Sequence, residues 1–298
     1  MMRIQVITRD NGFGLTKDIQ VIREALEPAG HEVVFTPWDR PRKGVHFHWN
    51  IHLELLAPIH FPSGGINVFV PNPEWMMNDY PRYFGAVDMV WAKTHDCKGI
   101  MDRLHRNVVY TGWTSPDTDV RVDPSPAMVH FGGDSISKGT GAVLQAAGMV
   151  PHIPITVAWK QKWRGPVPKN VRLIQGRLDG EEYAKVKRSS IHLCPSSAEG
   201  FGHYINEARS MGAVIISTAE APMNELVTPD FGFLVPSCSD HQMRFAIEHR
   251  VCPDSLAECM GYAWNCVTEH GAKWGQRARK AYEQDRESFT RTINEIVK

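Results

Sequence analysis

The sequence predicts an α/β protein with two parallel-sheet domains, and three observations carry that prediction. The N-terminal stretch runs strand, glycine loop, helix, strand. IQVIT ends at Thr8, the loop Asn11-Gly12-Phe13-Gly14 follows, a helix extends from about Ile19 to Ala29 and closes at Gly30, and HEVVFTPW returns. That order opens a parallel sheet. The same order restarts near Ala127, with the strand AMVHFGG, the loop DSISKGT and the helix TGAVLQAAG. Between them, from Ser115 to Ala127, SPDTDVRVDPSPA has no periodicity and reads as a linker. A chain of 298 residues with 42% hydrophobic content can bury two modest cores. The domains are placed at 1–118 and 128–274, with the linker at 119–127.

Lys plus Arg and Asp plus Glu are both 33, so the net charge is zero. That balance demands neither a nucleic acid nor an anionic membrane as partner. The chain has no apolar run long enough for a transmembrane segment and enters a strand at Ile4 without a signal peptide, so a soluble cytoplasmic protein is expected. The six cysteines are scattered. Cys252, Cys259 and Cys266 recur at helical spacing and are read as reduced packing residues.

In the N-terminal half, Val45 to Trp49 (VHFHW) is read as a strand with His46 and His48 on one face. IHLELLAPIH follows as a short helix carrying His52. The pattern H-x-H-x-x-x-H offers three imidazoles, but no acidic or cysteine partner follows at a supportive spacing, so zinc is not expected. INVFVPNPEWM is a strand broken at Pro71, with Asn72, Glu74 and Trp75 in a loop. AVDMVWAKT and NVVYTG continue the series. Trp75 and Trp113 are either stacking surfaces for a sugar or base, or simply large core residues.

The stretch from Ser196 to Pro236 is the most informative. IHLCPSS reads as a buried strand ending in a loop, Glu199-Gly200-Phe201-Gly202 as a sharp turn, and His203 to Met211 as a helix. Tyr204, Ala208 and Met211 share one helix face, and Gly212 is the stop. A helix N-terminus fed by a glycine turn suits a phosphate. Phosphate repels carboxylates, so Glu199 and Glu207 fit hydroxyls flanking a diphosphate; the competing reading makes Glu199 a helix cap and Glu207 a solvated helix residue. AVIIST, APMNELV and FGFLVP follow as strand, helix and strand. Everything after Pro236 is read as helical: HQMRFAIEHRV, SLAECMGYAWNCVTEH and WGQRARKAYEQDRESFTRTINEIVK.

In these pieces the chain resembles the retaining family-four glycosyltransferases (glycosyl transferases group 1) of the GT-B fold: a Pro-Ser turn, Glu199 and Glu207 eight positions apart, a small-residue strand, Ala-Pro-x-x-Glu-Leu-Val and Gly-x-Leu-Val, all in order. The resemblance implies two Rossmann-like domains facing across a cleft, with a C-terminal helix from about 275 to 298 packing back on the first. It implies metal-independent transfer from a nucleotide-sugar such as a UDP-sugar, with no cofactor. Lys138, before Gly139, matches the family's diphosphate-neutralising lysine, although Gly133 and Asp134 stand where relatives carry another cation, leaving Lys160 or Arg164 to add charge. Gly12 and Gly14 match the loop near the transferred sugar, and Gly176 and Arg177 lie beside the nucleobase. Glu207 takes the ribose and Glu199 the sugar hydroxyls, with Gly200, Phe201 and Gly202 presenting backbone N–H groups. His48 is the candidate histidine facing the cleft. The acceptor is unspecified. DNA carrying a modified base is one alternative, permitted by the basic stretches at Arg40–Lys43 and Lys98–Arg106; a non-catalytic nucleotide-sugar binding protein is another.

Overall fold

The computed structural model describes residues 1–178 and 180–298. It divides into two compact units, one of Met1–Pro116, Gln242–Ala246 and Gln284–Lys298, the other of Asp117–His241 and Ile247–Glu283.

In the first unit the chain forms β1 (Arg3–Thr8), α1 (Gly14–Leu26), β2 (Glu32–Pro37), β3 (Trp49–Leu53), β4 (Ile66–Val70), β5 (Met89–Ala92), α2 (His95–Met101) and β6 (Val108–Tyr110). The parallel strands are ordered β2-β1-β3-β4-β5-β6. Leu15, Ile19, Ile22 and Leu26 are buried along one stripe of α1, the spacing that lays a helix on a sheet. Helix α1 starts five residues before the expected Ile19, because Asp10 folds back over its first turn, accepting from Gly12 N at 3.1 Å and from the Thr16 hydroxyl. Gln284–Lys298 supplies Phe289, edge-on to Trp113 at 4.9 Å, and Asn294, which donates to Ala25 O at 2.9 Å.

Two expectations for this unit are corrected. The strand does not span Val45–Trp49 but Trp49–Leu53, which puts His52 inside β3 rather than on a helix. The reason is steric: a Cβ on Gly65 would lie 2.2 Å from Phe47 O, so a chain crossing passes over Phe47 and His48 before the strand begins. Trp113 is a core residue, 2% exposed, with its indole N–H on Asp18 Oδ1 at 2.6 Å.

The second unit contains β7 (Met128–Gly133), α3 (Thr140–Met149), β8 (Ile155–Trp159), β9 (Val171–Gln175), α4 (Gly180–Lys187), β10 (Ile191–Cys194), α5 (His203–Met211), β11 (Val214–Thr218), α6 (Met223–Leu226) and β12 (Gly232–Val235). Its parallel sheet is ordered β12-β11-β10-β7-β8-β9. Val143, Leu144, Val157, Leu193 and Ile216 lie in its core with Leu256, Met260 and Val267.

The helical reading of HQMRFAIEHRV is overturned, while the two segments after it are helical as expected. Ser237–Met243 (β13) and Ala246–Val251 (β14) form a separate two-stranded hairpin. Tertiary contacts override local propensity here. Arg244 takes the left-handed region at the turn, φ 53°, and donates to Trp75 O at 2.9 Å, while Phe245 packs against a cluster containing Leu56, Phe69 and Met76. One continuous helix, α7 (Pro253–Ile296), then replaces the separate segments expected. A bare backbone approach fixes its position in the second unit, since a Cβ on Gly275 would lie 2.3 Å from Gly212 O. Among the described residues no helix is long and apolar enough to cross a membrane.

Candidate functional site

In the second sheet the chain starts at β7 and extends to β8 and β9 on one side, then returns to β10, β11 and β12 on the other. Open parallel sheets bind ligands at such a reversal, outside the carboxyl ends of the strands. Two loops leave there, one from Gly133 to Gly139 after β7 and one from Pro195 to Gly202 after β10. They interlock. Ser197 N–H donates to Ser137 O at 2.7 Å, and Gly139 approaches Pro195 O so closely that a Cβ would sit 2.3 Å away. With φ at +72° as well, only glycine fits at 139.

Between the loops, the Lys138 ammonium pairs with Glu199 Oε1. The Ser196 hydroxyl donates to the same oxygen at 2.5 Å. Tyr204 Oη lies 2.5 Å from Ser196 Oγ, and because that hydroxyl already donates to Glu199, the tyrosine is its donor. The tyrosine ring also lies under the Lys138 ammonium, 4.0 Å from ring centroid to Nζ. Burial pushes the Tyr204 phenol well above its ordinary value and raises the Cys194 thiol, so both stay protonated. Lys138 and Glu199 keep 22% and 11% of their side-chain surface exposed. Among the described residues Glu199 Oε2 takes no hydrogen bond. It remains an acceptor.

Helices α3 and α5 both begin at this place behind left-handed glycines, Gly139 and Gly202, and neither takes a side-chain cap. Their first-turn N–H groups and positive dipole ends therefore border the two loops. Beneath them, His130 of β7 links β10 to the start of α3: its Nδ1–H donates to Leu193 O at 2.8 Å, and Nε2 accepts from the Thr140 hydroxyl at 2.9 Å. Burial lowers the His130 pKa to about 4.

The structure brings together Lys138, Glu199, Gly200, Phe201 and Gly202. Phe201 is 4% exposed and packs edge-on to His203. Glu207, half-buried in the second turn of α5, lies close enough to Tyr183 and His192 for its charge to act on both. Burial first and the Glu207 charge second push the Tyr183 phenol up to about 12. Gly176, φ +92°, and the exposed Arg177 follow β9 at the same carboxyl edge. Asp134, at the position where the resemblance leads one to expect a cation, pairs instead with Lys160 at 2.9 Å.

Gly12, Gly14 and His48 belong to the first unit. The glycine loop leaves β1 where that sheet also reverses, between β1 and β3. Gly12 N–H is taken by Asp10, and Gly14 is the first residue of α1. His48 stands at the opposite edge: its Nδ1 accepts from Arg3 N at 2.9 Å and its N–H donates to Arg3 O at 2.8 Å, at the start of β1. It is therefore removed from the ligand rim of its own sheet, a correction of the expected catalytic role. That rim carries a network the sequence reading missed. Arg9 donates to Glu54 Oε1 at 3.1 Å, Asn72 to Glu54 Oε2 at 2.8 Å, and the buried Lys93 to Asn72 at 3.1 Å and Asp18 at 2.7 Å. Placing β3 in its true register would have exposed Glu54 as the residue at its carboxyl end. Tyr204 was missed too, because an aromatic at helical spacing looks like core.

A cavity of about 660 Å³ in the second unit, lined by Arg121, Met211, Gly212, Lys273 and Arg279, opens at the amino ends of β10 and β11. It lies on the wrong rim for a sheet-reversal site. Among the described residues no three His, Cys, Asp or Glu side chains could hold a metal.

Residues 164–251 match the family model of glycosyl transferases group 1. A search of the curated proteins finds no match. Among solved structures, sucrose-phosphate synthase from Thermosynechococcus elongatus superposes with a TM-score of 0.75 at 12% identity, covering 100% of this chain and 98% of that one. HepE of Anabaena, solved with UDP and glucose, gives 0.71 at 13% identity over 100% and 99%. WaaG, a glycosyltransferase of lipopolysaccharide biosynthesis, gives 0.64 at 13% identity over 99% of each chain. At these identities the superpositions establish the fold, and the matched segment contains Glu199, Glu207 and the turn between them. The chain thus has the two-unit GT-B fold of these glycosyltransferases, and its second unit contains the segment that matches the model of glycosyl transferases group 1.

Proposed function

We propose that this chain is a retaining, metal-independent glycosyltransferase that moves a sugar from a nucleoside-diphosphate sugar, with UDP as the candidate nucleotide, to an acceptor hydroxyl in the cytoplasm. The observation that carries the reading is the division of labour at Glu199: Oε1 is held by Lys138 and Ser196, while Oε2 takes no hydrogen bond among the described residues. A sugar hydroxyl donates to Oε2. The ammonium beside it, with three donors of its own, meets the neighbouring phosphate without leaving its partner.

In the transfer, the bond between the anomeric carbon and the donor phosphate oxygen breaks while the acceptor oxygen bonds that carbon on the same face. The acceptor proton passes to the departing phosphate oxygen. Lys138 and the first-turn N–H groups of α3 and α5 stabilise the charge that develops on the diphosphate. Glu207 holds the ribose, and Arg177 with the Gly176 turn borders the base. Retention and metal independence are supported by the family resemblance of this segment, and UDP by the complex reported for HepE.

The test is a thermal-shift screen over nucleoside diphosphates and their sugar conjugates, followed by assay of nucleoside diphosphate release with the best conjugate. A raised melting temperature with steady release is expected. A protein whose melting temperature no nucleotide moves is not this enzyme, and binding without release would leave a non-catalytic binding protein.

A further inference from the structure

The hairpin of β13 and β14 has no place in the donor chemistry described above, yet its second strand is fastened to the Glu199 loop. His249 N–H donates to Ser197 O at 2.7 Å, and Ser197 Oγ donates to Glu248 Oε1 at 2.9 Å. On its other side Ser197 donates N–H to Ser137 O at 2.7 Å, in the turn that carries Lys138. Every polar group of this serine, 5% exposed, is thus spent on holding the loop between two neighbours. Glu199 lies two residues further on.

The hairpin side of this clasp is itself braced. Arg250 donates to Glu248 Oε2 at 2.8 Å, so that carboxylate has one oxygen on Arg250 and the other on Ser197. Across the hairpin, His249 Nδ1 pairs with Asp240 Oδ1 at 2.8 Å. A buried hydroxyl held by a carboxylate whose second oxygen is fixed has little freedom to shift. The loop residues that follow inherit that restriction.

We propose that Glu248 is a positioning residue for the donor sugar: acting through Ser197, it sets where the Glu199 carboxylate stands and so controls recognition of the transferred sugar, leaving recognition of the nucleotide to other groups. The proposal rests on the reading of Glu199 as the sugar-hydroxyl acceptor. It assigns the hairpin a specificity role, since another hairpin at this place would offer Glu199 to a differently shaped sugar.

The experiment compares Glu248→Ala, Glu248→Gln, Ser197→Ala, the Glu248→Ala/Ser197→Ala pair and Glu199→Ala by calorimetry, with UDP and with the sugar conjugate selected by the screen. Glu248→Ala and Ser197→Ala are each expected to weaken the sugar conjugate about tenfold and UDP less than about twofold, and the pair should be no worse than Ser197→Ala alone, because that variant already removes the Glu248 contact along with the longer one to Ser137 O at 3.3 Å. Glu248→Gln keeps an oxygen in reach of the Ser197 hydroxyl and should restore sugar affinity. UDP affinity reports that each variant is folded. If Glu199→Ala is sugar-selective while Glu248→Ala and Ser197→Ala weaken both ligands equally or neither, the hairpin role is wrong and the donor reading stands. If Glu199→Ala itself shows no sugar selectivity, the donor reading fails and the hairpin role fails with it.

Discussion

Lys138 and Glu199 are joined in an ion pair that bridges the two loops at the sheet reversal, with Ser196 sharing the same carboxylate oxygen. The pair has two consequences. On the proposed reading it holds the ammonium where a diphosphate reaches it, and it leaves the second carboxylate oxygen turned to other uses.

Lys138→Ala removes the cation and leaves Glu199 beside the diphosphate with only a hydroxyl to answer it. The expected loss in kcat/KM is about 3 kcal/mol, or roughly 10²–10³, in line with removing one preorganised group that stabilises developing charge. Steady-state kinetics with the donor varied measures this. Near-unchanged kcat/KM would move the clamp elsewhere, with Arg164 the next residue to replace.

On the proposed reading Lys138 and the helix N-termini neutralise the diphosphate without a divalent ion, so transfer should continue at an undiminished rate in excess EDTA. Abolition by EDTA with recovery on adding Mg²⁺ or Mn²⁺ would show that the diphosphate is clamped by something other than Lys138 and the helix ends.

The parts of the site that could be read from the sequence are those where a residue type has a single physical use. Gly139, Gly202 and Gly212 all take left-handed conformations, and each lies where a turn or helix boundary was placed from sequence. Lys138 and Glu199 were visible as polar residues flanking such turns. Their pairing was not, because sixty-one positions separate them and only the sheet order brings β7 beside β10. VHFHW and WNIHL alternate almost equally well, and the choice between them was made by the Gly65 backbone crossing over Phe47, a contact no local pattern encodes. The hairpin was hidden for a similar reason: its turn residues, Arg244 and Phe245, are fixed by Trp75 and by a remote apolar cluster.

The buried His130 gives the fold a dependence on pH with a defined sign. Its pKa falls from 6.5 to about 4 on folding because burial disfavours the cation. The unfolded chain therefore binds the proton first, so the stabilisation is complete above the unfolded value of 6.5 and is lost as pH falls towards 4. One such histidine contributes about 1.4 kcal/mol per pH unit to the slope of unfolding free energy in that window. His192, lowered to about 4 by the same cause, acts in the same direction. Urea unfolding between these limits should show the decline, and His130→Asn should flatten it by one proton's share. A variant with the wild-type slope would mean that His130 is not the group being titrated.

Glu199 and Glu207 should separate two halves of one ligand. Glu207 stands in the second turn of α5 near Tyr183, on the α4 side, whereas Glu199 stands in the loop against Lys138. The ribose is common to a nucleoside diphosphate and to the whole donor; the sugar is present only in the donor. Glu207→Ala is therefore expected to weaken both ligands by a similar factor, about 1–3 kcal/mol for a lost charged hydrogen bond. Glu199→Ala should reduce affinity for the donor, or slow transfer, with nucleoside diphosphate binding almost intact. Its loss also releases Lys138, whose ammonium then faces the phosphates alone, so any change in nucleoside diphosphate affinity should be a gain. Calorimetry on the two variants with both ligands distinguishes the cases. The reverse pattern would place the sugar at the α4 side and the ribose beside Lys138, and negligible effects for both would return Glu199 to a loop ion pair and Glu207 to an ordinary helix residue.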